Sequence, residues 1–201
     1  MRDTQTPSAP IGPPVRLETT NYIVRTLTPQ DATAGWLSWV SDVEIMRPIN
    51  TPIANMSLQQ LQGYIRSFDR RKAYLFGVFD KINGAYLGFH QLKVNSFQRT
   101  VVFNVLIGDR SYWGKDVVIE SRGALLDFFF EERDMEKAIG MPLARNFPMI
   151  YNYKKQGWRL EGTLLGQCKS NYGAERLDQY QFGLLRDEWR NMKLKKVRDQ
   201  Q

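Results

Sequence analysis

Cysteine and histidine are nearly absent from this chain: Cys168 and His90 each stand alone in 201 residues. One thiol forms no intrachain disulfide, and one thiol with one imidazole cannot supply the spaced ligands of a structural zinc site or a Cys-His nucleophile pair. No metal is therefore expected. Long apolar runs are missing too. None approaches the roughly 18 to 20 residues that a membrane helix needs, and the opening MRDTQTPSAPIGPP lacks the apolar stretch of a secretory signal. The expectation is a cytoplasmic protein with no membrane partner. Acidic residues are the scarcer sign of charge, 21 against 28 lysines and arginines, for a formal net charge of +7. The basic excess is scattered and gathers only in MKLKKVR near the end, without the aromatic interleaving of a nucleic-acid platform. It suits a ligand carrying several phosphates.

With 42% hydrophobic and 24% charged residues, the chain has apolar material for one sizeable core. Residues 1–20 hold Pro7, Pro10, Pro13 and Pro14 among small polar residues, which predicts a flexible arm. Residues 21–188 form the expected domain, and 189–201 a solvated basic tail. Tyr22 opens a strand, and Thr28-Pro29-Gln30-Asp31 reads as the start of a helix containing Trp36, Leu37 and Val40. Ser57 and Gln60 form a capping-box pattern ahead of a second helix. AYLFGVF, AYLGFHQLKV and TVVFNVLIG, joined by short turns, predict an antiparallel meander. A helix of about five turns follows Trp113-Gly114-Lys115, with the aromatics of DFFFEERD at its core-facing end. EKAIGM reads as another strand, and Pro142 beyond it predicts an open or splayed sheet there, because proline has no N–H for a ladder. Asn146 and Pro148 start the next helix, Gly157 ends it, and two strands, WRLEGTLLG and YQFGLL, close the domain. The fold class is α/β: a mixed, mostly antiparallel sheet of about seven strands, splayed centrally, with helices on both faces.

The stretch IGDRSYWGKDVVIE, residues 107–120, is a strand, a basic glycine turn and a helix start. The unpaired N–H groups and positive dipole end of such a helix can cradle a pyrophosphate. Its YWGKDVVIES resembles the acetyl-CoA loop YWGKGYATEA of the GNAT N-acetyltransferase superfamily, in the branch similar to ribosomal-protein N-terminal acetyltransferases. Downstream and in register, NFPMIYNYKKQGWRLEG resembles that branch's NxxSxxLYEKxGFxxEG, through Asn146, Tyr153, Lys155, Gly157, Trp158, Glu161 and Gly162.

The resemblance implies an acyl-CoA-dependent N-acetyltransferase. Its co-substrate is acetyl-CoA or another short acyl-CoA, and the acyl group passes to a primary amine by direct attack in a ternary complex. Carried onto this chain, the pantetheine arm runs along Val105, Leu106 and Ile107. The phosphates face the backbone from Arg110 through Trp113, Gly114, Lys115 and Asp116 to Val117, and Asn146 and Tyr153 complete the coenzyme side. The N–H near Leu106 is the expected oxyanion donor and Tyr153 the general acid, since a phenol can protonate a thiolate of similar basicity.

Two departures stand out. Asp116 occupies a position where the branch usually has glycine, and no carboxylate stands in Val102-Phe103-Asn104-Val105 where the branch often has its base. Deprotonation is then assigned to water, to His90 on the neighbouring strand, or to a helical residue. Acceptors compatible with the resemblance are a protein N-terminus, an amino sugar, a polyamine or another small amine. Asp42, Glu44 and Asp69 are the carboxylates a polyamine site would draw on, and Trp36 and Trp39 are candidates to line the cleft. A homodimer is compatible with the exposed strand edges. The alternative reading is a catalytically idle module of the same shape that binds CoA or a partner.

Overall fold

A computed structural model describes residues 11–199. Eight strands among them form one sheet in the order β1-β2-β3-β4-β5-β6-β8-β7. The strands are β1 (Arg16–Glu18), β2 (Tyr22–Thr26), β3 (Ala73–Asp80), β4 (Tyr86–Asn95), β5 (Thr100–Ile107), β6 (Lys137–Gly140), β7 (Arg159–Lys169) and β8 (Arg176–Leu185). Every pairing is antiparallel except β5 with β6. The meander read from the sequence is β3-β4-β5, and the edge strand β1 is the addition that brings seven strands to eight.

Alternation along the strands builds two apolar layers. Tyr74, Phe76, Leu92, Val101 and Phe103 pack against helix α4 (Val117–Asp127), its π-helical continuation Phe128–Glu132, α5 (Phe147–Lys155) and α6 (Arg186–Arg198). On the other face Leu75, Phe89 and Leu106 pack against α1 (Ala34–Val40), α2 (Val43–Met46) and α3 (Leu58–Arg66). The three phenylalanines of the DFFF run are buried.

The caps explain most helix starts. Ser57 and Gln60 make the reciprocal capping box of α3, and the Asn146 side chain accepts from Met149 N–H at 3.2 Å at the start of α5. Gly157, at φ +86°, ends α5 in the left-handed region that glycine enters without strain.

Three expectations change. Residues 11–20 of the N-terminal arm are tied down: β1 pairs with β2, Thr26 Oγ1 accepts from Val15 N–H (3.1 Å), and Gly12 N–H reaches Asp69 O (2.8 Å). Residues 1–10 of that arm lie outside the described residues. The segment after Thr28 is a 3-10 turn, Pro29–Asp31, and α1 starts later, under a cap from Thr33; Asp31 is spent on Thr28 N–H and on Arg25. Residues 189–198 of the basic tail belong to a 13-residue helix, α6, with Trp189 in the core, and residues 200–201 lie outside the described residues.

The candidate active site at the split of the sheet

The parallel pair β5–β6 lasts only from Thr100↔Lys137 to Phe103↔Gly140. Beyond it β6 has ended, Pro142 offers no N–H, and residues 104–107 keep β4 as their only strand partner. The splay expected from Pro142 is therefore present.

Which backbone groups face the gap follows from the phase of the antiparallel ladder. Gly108 N–H donates to Leu87 O at 2.9 Å, so the hydrogen-bonded pairs of β4 and β5 include Leu106 opposite Phe89. The N–H and C=O of Leu106 thus point into the ladder, and those of Val105 and Ile107 point into the gap. Ile107 C=O is taken by the Trp113 indole N–H at 2.9 Å. This corrects the oxyanion expectation: Leu106 has no backbone N–H to spare, and Val105 does. The Leu106 side chain still lines the gap on the α1–α3 side.

Two cavities meet at this edge. The first cavity, about 400 Å³, runs from Val105 and Ile107 past Trp113, Gly114, Asp116 and Val117 to Lys155. The other, about 460 Å³, lies between α1, α3 and the open end of the sheet, and reaches Tyr153. Pro48, Ile49, Val105, Leu106, Asn146 and Met149 line both.

The turn into α4 carries the backbone groups on which the phosphate expectation rests. Tyr112, Trp113 and Lys115 donate their N–H groups within the turn, to Asp109, Arg110 and Tyr112. The N–H groups of Val117 and the next two residues precede the first intrahelical bond, Glu120 N–H to Asp116 O (2.9 Å). Arg110 is a correction: its guanidinium bonds Asp42 (2.6 Å) and Glu44 (2.8 Å) at the start of α2 and lines neither cavity. Lys115 also lines neither, its ammonium lying 4.9 Å over the Tyr112 ring. Asp116 adopts φ +56°, a left-handed conformation that aspartate tolerates better than most residues. Lys155 Nζ reaches both its oxygens, at 2.8 and 2.9 Å, and this partner holds the lysine pKa above its ordinary value. The carboxylate that the sequence leaves unpaired is neutralised across α4 and α5.

Tyr153 is 2% exposed and lines the second cavity. Its ring stacks on Phe182 (5.1 Å) and meets Trp158 edge-on (4.8 Å), and its hydroxyl lies so close over Gly140 that a Cβ there would collide with it. Burial raises its pKa, against the opposing pull of Arg122, so the phenol keeps its proton at neutral pH.

Arg122 carries no signal in the sequence. On the buried face of α4 it is fully enclosed, with its guanidinium 4.3 Å from the Tyr153 ring centre, and it bonds Gln156 Oε1 (2.5 Å) and Asn152 O (3.0 Å) but no carboxylate. Burial pulls its pKa down to about 10.

His90 is a second correction. Strand alternation turns Phe89 and Gln91 toward the 460 Å³ cavity and His90 to the opposite face, where its Nε2 lies 2.8 Å from Ser121 Oγ of α4. It is fully buried, lines neither cavity, and burial pushes its pKa down to about 3, so it is a packed neutral imidazole and not a base. Of the two tryptophans, Trp36 lines the cleft while Trp39 covers Gly108. Among the described residues no cluster of three or more metal-ligating side chains occurs.

A mixed sheet split between β5 and β6 leaves a free strand edge, a helix start and a buried phenol around one gap. The model of the GNAT acetyltransferase domain matches residues 21–159, and the chain belongs to that family. A search of curated protein sequences returned no match. Solved structures with the same fold include a GNAT-family acetyltransferase from Bacillus anthracis (TM-score 0.75, 18% identity, 87% of this chain and 100% of that one). Another is the ribosomal-protein-S5-alanine acetyltransferase from Vibrio fischeri (0.73, 18%, 87% and 98%). A third is the spermidine N-acetyltransferase from Vibrio cholerae in complex with CoA and spermine (0.74, 18%, 84% and 97%).

Proposed function

We propose that this protein transfers an acetyl or other short acyl group from CoA to a primary amine, by direct attack of the amine in a ternary complex. The observation that carries the reading is the meeting of two cavities at one free strand edge beside a buried phenol. CoA supplies the acyl group as an activated thioester. The residues fit it: Val105 and the Ile107 N–H offer strand-edge groups for an amide-bearing arm, and the N–H groups of Gly114, Asp116 and Val117 surround the α4 start for phosphate. Arg110 has no part in this.

Val105 N–H is the donor for the carbonyl oxygen as it gains charge. Tyr153 holds the proton that the departing sulfur needs, and Arg122 beneath its ring stabilises the phenolate left behind. Asn104, an amide in the run where a carboxylate base was sought, and Gln91 beside it on β4 line the acceptor side, so the acceptor loses its proton to water. Tyr153→Phe should lower kcat about 100-fold or more, the usual scale for a general acid, while the calorimetric Kd for CoA stays within about threefold. Unchanged release of free thiol in the variant would remove Tyr153 from the reaction.

A further inference from the structure

We propose that the 460 Å³ cavity admits a weakly basic primary amine on an uncharged, apolar body and turns polyamines away. This rests on the transferase reading and specifies its acceptor. No described residue lining the cavity carries a charge; its polar groups are neutral, among them Gln91, Asn104, Gln179 and the Tyr64 hydroxyl. Asn104 is exposed to the gap although it lies in the centre of the sheet.

The carboxylates that sequence reading offered to a polyamine are spent elsewhere. Asp42 and Glu44 hold Arg110. Asp69 accepts from the N–H groups of Arg71, Lys72 and Ala73, at 2.8 to 2.9 Å. An ammonium entering the cavity would give up part of its water and find no counter-ion on the lining, which disfavours the charged form. The titratable groups on the lining are Tyr64 of α3 and Tyr153 of α5, both kept protonated by burial, so neither takes the amine's proton at neutral pH. The cavity therefore binds the neutral amine. At pH 7 an α-amine with pKa near 7.8 is neutral several hundred times more often than an alkylamine near 10.4.

Three probes separate basicity from charge: phenylalaninamide, phenethylamine and spermidine. At pH 7, kcat/KM with acetyl-CoA should fall in that order, by about 100-fold or more from first to last. The rate with phenethylamine should rise about tenfold per pH unit toward its own pKa. Calorimetry of the protein without CoA should give the same order of affinity, with phenethylamine tightening as pH rises. Gln91→Glu, which adds a carboxylate to the lining, should raise kcat/KM for spermidine at least tenfold. Spermidine used as well as phenylalaninamide, or a pH-independent preference, would overturn the inference while leaving the transferase reading intact. So would a rate that depends on acyl-chain length and is blind to the amine. If acetyl-CoA gave no binding heat and no amine released thiol, the transferase reading would fall, and the calorimetric order of the amines would still decide what the cavity selects.

Discussion

Asp116 takes the N-cap position of α4 with a left-handed backbone. From the sequence it is a carboxylate placed where a diphosphate is expected, and repulsion follows. The structure adds Lys155, 39 positions away, whose ammonium takes both oxygens. The pair lies at the surface and screens well, so its effect on a phosphate is modest. Asp116→Gly should free Lys155, remove the left-handed aspartate and tighten CoA binding about fivefold, equivalent to about 1 kcal/mol. Calorimetry at low and high salt checks this: the gain should shrink as salt rises, and weaker binding in the variant would show that the aspartate shapes the turn. Val105 and Leu106 teach a different lesson. The sequence locates the edge to within three residues, but which of them turns its N–H outward depends on the phase of the β4–β5 ladder. That phase is set by turn geometry and pairing register, which composition does not encode.

At the scale of elements, legibility follows how local the cause is. Capping boxes, proline at a first turn, glycine at a helix end and the alternation of β3 to β5 are local, and all were readable. β1, α2 and α6 were not. β1 is three residues whose order comes from β2; α2 is four residues capped by Asp42; α6 is polar along most of its length and is held by partners on α4 and its continuation. The start of α5 joins both kinds of cause. Asn146 caps the helix with its oxygen, and its amide donates to Pro48 O at 3.2 Å, tying α5 to the linker after α2 across the two cavities. Asn146→Ala should cost about 1 kcal/mol through the lost cap. Asn146→Asp, a good cap without the amide, should recover that stability and still raise KM for CoA, because the tie to Pro48 is gone. Urea unfolding and steady-state kinetics on the two variants separate the roles, and equal stability losses would put the weight on the tie alone.

At the scale of the whole molecule, the fold is closed by a segment that composition assigns to solvent. Trp189 is 8% exposed and its indole N–H donates to Asp127 at 2.7 Å, while Arg190 and Lys193 pair with Glu131 and Asp127. A Cβ at Gly157 would meet Met192, so α6 also seals the end of the helix that carries Tyr153. Half-exposed ion pairs contribute about 0 to 1 kcal/mol each, and removing a buried tryptophan costs about 3 to 5. The indole should therefore account for most of what α6 contributes. Trp189→Ala is expected to lose about 3 kcal/mol in urea unfolding, and removal of residues 186–201 only about 1 to 2 kcal/mol more. A truncation that loses far more than the point variant would give the ion pairs the larger share, and a truncation with native stability would make α6 dispensable to the core.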